Sequence, residues 1–132
     1  MMHVSKQVDY ALQLITALSR LKEGEFLSLR AFSQESNISF LFLQRIARIL
    51  KNTHIIDANR GVYGGYYLMV DPYKITFKQL VEAVEGSFGI TTCIRNNPKK
   101  CPHASYCTGK KTMASLNKSI SSILEQTYIL QQ

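Results

Sequence analysis

The residues best equipped for chemistry lie in one stretch, Cys93 to Cys107, which reads CIRNNPKKCPHASYC. It holds all three cysteines at the spacing C-x7-C-x5-C, together with His103, Arg95, Lys99 and Lys100, and it contains no acidic residue. Three cysteines cannot all pair internally. In a reducing compartment clustered thiols serve more often as metal ligands or reactive groups than as disulfides. Two readings follow from the residues alone. Cys93, Cys101, His103 and Cys107 make a Cys3His donor set for a structural zinc. Alternatively, two of the thiols form an oxidation-sensitive pair whose reactivity is raised by the surrounding cations.

Whatever this stretch binds must be positioned by the elements on either side. From Val4 to Leu21 apolar residues recur at Val8, Ala11, Leu12, Ile15 and Leu18, with Leu14, Ala17 and Leu21 widening the stripe, which predicts a largely buried helix. Lys22-Glu-Gly24-Glu ends it. Ser28 is placed to cap a short helix with Leu29 and Phe32 in the core; Ser36-Asn37 turns the chain, Ile38 plugs the turn, and Ser39 caps a second helix. Leu43, Ile46, Ala47 and Leu50 form one face of that second helix. Phe40, Leu41, Gln44, Arg45, Arg48 and Lys51 lie mainly on the other. This is the outline of a helix-turn-helix, although two core helices with a solvated basic face would read similarly.

The next segment separates those readings. Ile55–Asn59 and Tyr66–Val70 have strand composition, and the six residues between them, Arg60-Gly-Val-Tyr-Gly-Gly65, include three glycines, as a tight hairpin needs. A helix-turn-helix followed by a basic-tipped hairpin is a winged helix, with the second helix in the major groove and Arg60 at a phosphate or in the minor groove. Beyond Pro72, Thr76 and Gln79 form a T-x-x-Q capping box, Ile75 and Leu80 a hydrophobic staple, and Gly86 a stop. Phe77, Leu80, Val81 and Val84 face inward on the helix so defined. Periodicity is absent from Ser87 to Thr112. It returns at Met113, Leu116, Ile120, Ile123 and Leu130, a coiled-coil-like seam interrupted by Thr127. A helix over Met113–Leu130 would run about 27 Å and is expected to find its partner in a second copy of the chain.

Composition agrees with this outline. The 132 residues make one domain with an appended helix, and no apolar run approaches a membrane span. The first residues lack both a basic region and a small-residue cleavage site, so a cytoplasmic protein without membrane association is expected. A net charge of +7 favours an anionic partner, nucleic acid first and a membrane surface second, and the winged-helix outline makes double-stranded DNA the expected one. One basic cluster comprises Arg45, Arg48, Lys51 and Arg60 with a single acid, Asp57; the other comprises Arg95, Lys99, Lys100, Lys110 and Lys111 with none. No nucleophile–base–acid set, phosphate loop or carboxylate pair appears, and His3 and His54 lack an identifiable partner, so no enzyme is expected.

Taken together, NRGVYGGYYL and the following DPYKITFKQLVEAVEG resemble the R-G-x-x-G-G-Y wing and next helix of the Rrf-two family of winged helix-turn-helix transcription regulators, and the similarity runs from about Val4 into the last helix. The resemblance implies a mainly α fold with a small β-hairpin wing: a winged helix-turn-helix domain at 1–86, a cysteine-containing sensor loop at 87–112 and a dimerisation helix at 113–132. It implies a dimeric DNA-binding regulator, with repression the expected mode. By position, base reading falls on Ser39, Leu41, Gln44 and Arg45 and the wing contact on Arg60; Ser28, Arg48 and Tyr63 complete the expected DNA-binding set. Gln44 is also suited chemically, since its amide matches adenine N6 and N7. His54 stands where members carry a helix-ending glycine.

The same resemblance implies an iron–sulfur cluster, 2Fe-2S or 4Fe-4S, on Cys93, Cys101 and Cys107. The first gap is two residues longer than the usual five, and Lys110 replaces a histidine ligand that some members use. The fourth ligand then falls to Asp9 of the partner subunit or to His103, although Asp9 equally suits the first turn of its own helix. A negatively charged cluster fits the five nearby cations. The competing expectations are the same fold with a thiol switch, or a zinc-stabilised interaction module that senses nothing.

Overall fold

A computed structural model describes residues 4–90 and 109–131. Its first helix, α1 (Lys6–Ser19), begins where the Ser5 hydroxyl accepts the Val8 amide at 3.3 Å, so the helix is two residues shorter at each end than periodicity predicts. Val8, Ala11, Leu14, Ile15 and Leu18 are buried; Leu14 is central to the core, and Leu12 is only partly covered. Next come α2 (Leu29–Ser36) and α3 (Phe40–Asn52), capped by Ser28 and Ser39 as expected. Asn37 turns between them at φ 61°, and buried Ile38 closes the turn. Leu43, Ile46, Ala47 and Leu50 are fully buried, which fixes the rotation of α3 about its axis.

The end of α3 is a Schellman motif. The Ile55 amide donates to the Leu50 carbonyl at 3.0 Å and the His54 amide to that of Lys51 at 3.1 Å, with His54 left-handed at φ 64°. The hairpin follows at once: β1 (Ile56–Asn59) and β2 (Gly65–Leu68) pair antiparallel, with Ile56 opposite Leu68 and Asn59 opposite Gly65. Leu27, ahead of α2, bridges to Tyr66 through reciprocal amide–carbonyl bonds of 2.9 and 2.8 Å, adding a one-residue third strand. That brace ties the wing to the helix-turn-helix.

After a 3-10 turn at Pro72–Lys74, α4 (Phe77–Glu85) carries the full capping box: the Thr76 amide donates to Gln79 Oε1 at 2.8 Å and the Gln79 amide to Thr76 Oγ1 at 3.2 Å. Ile75 and Leu80 are both buried, as a staple requires, and Gly86 ends the helix at φ 87°. The last helix, α5 (Lys110–Gln126), packs on α4. It starts three residues before Met113 and stops four before Leu130, correcting the expected Met113–Leu130 span.

Thr127 leaves the helix in an extended conformation, its carbonyl accepting the Phe77 amide at 2.7 Å. Tyr128 bridges Thr76, the Ile129 amide donates to the Ile75 carbonyl, and Ile129 is buried. Leu130 therefore packs against the chain's own core and is not part of a helical seam. The chain end returns because backbone groups beside the Thr76 cap offer strand partners. No helix among the described residues is long and apolar enough to cross a membrane.

Candidate nucleic-acid interface

With its inner face fixed by four fully buried residues, α3 must direct the opposite stripe outward. Leu41 is 75% exposed, and Gln44, Arg45 and Arg48 are exposed at the three- and four-residue steps that share a helix face. Neither arginine has an ion-pair partner among the described residues. Lys51 differs: its ammonium lies 3.9 Å from Asp57, so part of its field is spent inside the chain. Ser39, at the start of the stripe, and Ser28, at the start of α2, use their hydroxyl oxygens as caps, from 3.5 and 3.3 Å. Each keeps its O–H to donate.

The wing projects a second exposed group. Arg60 opens the loop, and Val62 and Tyr63 at its tip are 94% and 91% exposed. The loop closes through the Gly64 amide on the Gly61 carbonyl at 3.1 Å. At Gly64 a Cβ would meet the Asn59 carbonyl oxygen at 2.0 Å, so the chain crosses itself too closely for a side chain. Phe26 and Tyr67 pack edge to face at 5.6 Å behind the hairpin.

Sequence reasoning missed two features. One is the Leu27 brace, a single-residue pairing that no periodicity signals. The other is Arg30, exposed in the first turn of α2, whose guanidinium lies 4.6 Å from the centroid of the Phe40 ring at the start of α3. A cation and an aromatic, each just inside a helix of the motif, were the available signal.

The expected ligands Cys93, Cys101, Cys107 and His103 lie outside the described residues, as do Arg95, Lys99 and Lys100. The segment's borders are described. The Ile90 amide donates to Asn117 Oδ1 of α5 at 2.9 Å, and the chain resumes at Gly109, the N-cap of α5, which has no side-chain cap bond. Lys110 and Lys111 occupy the first turn beyond it. Asp9 is exposed in the first turn of α1 and accepts from Gln13 Nε2 at 3.4 Å. Among the described residues, no three His, Cys, Asp or Glu side chains converge as metal ligands.

Along α5 no residue is buried. Met113, Leu116 and Ile123 are exposed, whereas Ile120 turns with Leu124 toward a groove of about 380 Å³ lined by Val4, Val8, Phe77 and Val81. The expected seam residues thus divide between two directions. Lys78 of α4 reaches Glu125 of α5 at 2.6 Å, and this hydrogen bond chiefly holds its pKa above the ordinary 10.5.

Comparison with known proteins gives a consistent result. A family model described as "Rrf2: Iron-dependent Transcriptional regulator" matches residues 4–131. CymR of Bacillus subtilis, an HTH-type transcriptional regulator, is 33% identical over 86 residues, 64% of this chain and 62% of CymR. NsrR of the same organism, also an HTH-type transcriptional regulator, is 26% identical over 106 residues, 80% of this chain and 73% of NsrR. Among solved structures, that of CymR, the global cysteine regulator of B. subtilis, superposes with a TM-score of 0.74 at 22% identity, covering 98% of this chain and 94% of CymR.

Proposed function

This chain belongs to the Rrf2 family of transcriptional regulators, and from that premise we propose a dimeric DNA-binding repressor whose affinity depends on an iron–sulfur cluster held by Cys93, Cys101 and Cys107. The observation carrying the DNA-reading part is the outward stripe of α3, locked in rotation by four buried residues and followed by a braced wing. In this reading Ser39, Leu41, Gln44 and Arg45 meet base edges, Ser28, Arg48 and Tyr63 meet the backbone, and Arg60 enters the minor groove. Residues 1–86 are the reader, 87–109 the sensor and Lys110 onward the dimer helix, its observed start lying three residues ahead of the expected 113. Exposed Met113, Leu116 and Ile123, with Ile120 at the groove, are the surface offered to the second copy.

The borders of the sensor segment fit a cluster. Ile90 is tied to Asn117, eight residues from Gly109, or about 12 Å along the helix axis. Cys93 is three residues beyond Ile90 and Cys107 two before Gly109, so both thiols are tethered close in sequence to described backbone. Among the described residues the amides at the start of α5 have no side-chain cap, and Lys110 and Lys111 stand in its first turn, a setting that a net-negative group would stabilise. Asp9 of the partner subunit or His103 would supply the fourth ligand. When bound, the cluster supplies reactivity toward oxidants and nitric oxide. The chain supplies three thiolates, the cations that stabilise them, and a connection from the reader to α5.

A second reading has the same three thiols act as a metal-free switch, their reactivity raised by the surrounding cations. Anaerobic purification with iron, sulfide and zinc analysis decides between them. Stoichiometric iron and sulfide with visible absorption, lost on substitution of the three cysteines by serine, supports the cluster. A colourless protein with neither iron nor sulfide rejects it.

A further inference from the structure

We propose that Arg30 is a phosphate anchor, held by the ring of Phe40 so that the helix-turn-helix grips the DNA backbone before any base is read. The proposal rests on the DNA-reading function given above. Arg30 lies in the first turn of α2, yet its guanidinium is stacked 4.6 Å from the centroid of the first residue of α3. It therefore reaches the first residue of α3, at the end of that helix that leads into the groove in helix-turn-helix proteins. Its location is electrostatically unfavourable for a purely structural residue. The first turn of a helix favours an acid, and α2 has no acidic residue there. Arg30 is exposed and makes no ion pair among the described residues, so its charge is free for an outside partner.

The pairing also suits the chemistry of the ligand. Stacking on an aromatic face leaves the edge of the guanidinium, with its N–H groups, pointing away from the ring and able to meet two phosphate oxygens. It also removes rotamer freedom that a long side chain would otherwise lose on binding. A phosphate contact carries no sequence information, so Arg30 should strengthen binding to every duplex alike. Arg45 and Gln44, if they read bases, should not.

The test measures binding of the full chain to a random-sequence duplex by fluorescence anisotropy over a salt series, with circular-dichroism melts of every variant. Arg30→Gln is expected to keep the wild-type melting temperature and reduce the slope of log K against log salt by about 0.9, an affinity loss of about eightfold at roughly 0.1 M salt. Arg30→Lys should keep the slope. Phe40→Leu should also keep the slope but weaken binding about two- to tenfold through lost preorganisation. An Arg30→Gln slope equal to that of a wild type which itself binds steeply overturns the anchor and leaves the DNA-reading function standing. So does an Arg30→Gln variant that melts earlier with an unchanged slope, since the arginine would then be a structural staple. A wild type that binds no duplex overturns the DNA reading, and the anchor with it.

Discussion

Replacing Gly64 by alanine tests whether the wing is a built device or an ordinary turn. The added Cβ would lie 2.0 Å from the Asn59 carbonyl oxygen, 2.8 Å from its carbon and 2.9 Å from the Arg60 carbonyl carbon. All three are backbone atoms, so no side-chain rotation relieves the clash. Reaching ordinary contact requires the loop to open by more than an ångström, which breaks the 3.1 Å bond from the Gly64 amide to Gly61 and carries Arg60 with it. Forced overpacking of this kind costs about 1–3 kcal/mol. Because the hydrophobic core lies in the helices and at the base of the hairpin, the α-helical signal should persist. Melting followed by circular dichroism should show a drop of roughly 3–15 °C with unchanged native ellipticity. DNA affinity should fall together with Arg60→Ala, the two substitutions being far from additive, because both remove the same contact. A Gly64→Ala protein with wild-type melting temperature and wild-type affinity would refute the close crossing and the function assigned to it.

Three further outcomes follow from local geometry. His54 holds a left-handed conformation that glycine adopts freely, so His54→Gly should raise stability in urea unfolding by about 0.5–1 kcal/mol, and a loss would contradict the Schellman assignment. Thr76→Ala removes one half of the capping box at the point where the chain end also docks, and should cost about 1 kcal/mol or more; an unchanged urea midpoint would argue against the box. Lys78 has its pKa raised chiefly by its hydrogen bond to Glu125, so its stabilising contribution is complete below the ordinary lysine value and disappears as pH rises through the raised one. Lys78→Met should therefore melt below wild type at neutral pH and approach it above about pH 10.5, whereas a constant difference would assign the effect to packing alone.

How legible these features were in the sequence depended on how local their causes are. Ser28, Ser39, Thr76 and Gln79 announce helix starts because a cap is satisfied within three residues, and all four act as read. The glycine-rich loop announces a tight hairpin for the same reason. What escaped depends on distant partners. Leu27 finds Tyr66 across the fold, and the Thr127–Leu130 run continues the preceding helical pattern by spacing but is extended because Thr76 and Ile75 supply strand partners. Leu130 fits a heptad by arithmetic, but it packs beside Ile129 on its own core. Arg30 escaped because a cation–aromatic contact ten residues apart leaves no periodic trace.

The chemistry of the site was legible only as residue types. Three thiols, nearby cations and an Asp9 in the first turn of α1 are compatible with cluster, zinc and thiol switch alike. Residue spacing does not encode which metal a set of thiolates selects, because ligand geometry and metal supply decide that together.

The most direct measurement is DNA affinity of one anaerobic preparation before and after removal of its iron and sulfide, at fixed salt, beside a variant in which Cys93, Cys101 and Cys107 are serine. If the cysteine segment couples a bound cluster to the reader, holo and apo forms should differ by about 5- to 150-fold, and the serine variant should match the apo form. Equal affinities for all three proteins would contradict cluster control while leaving the winged-helix reader intact.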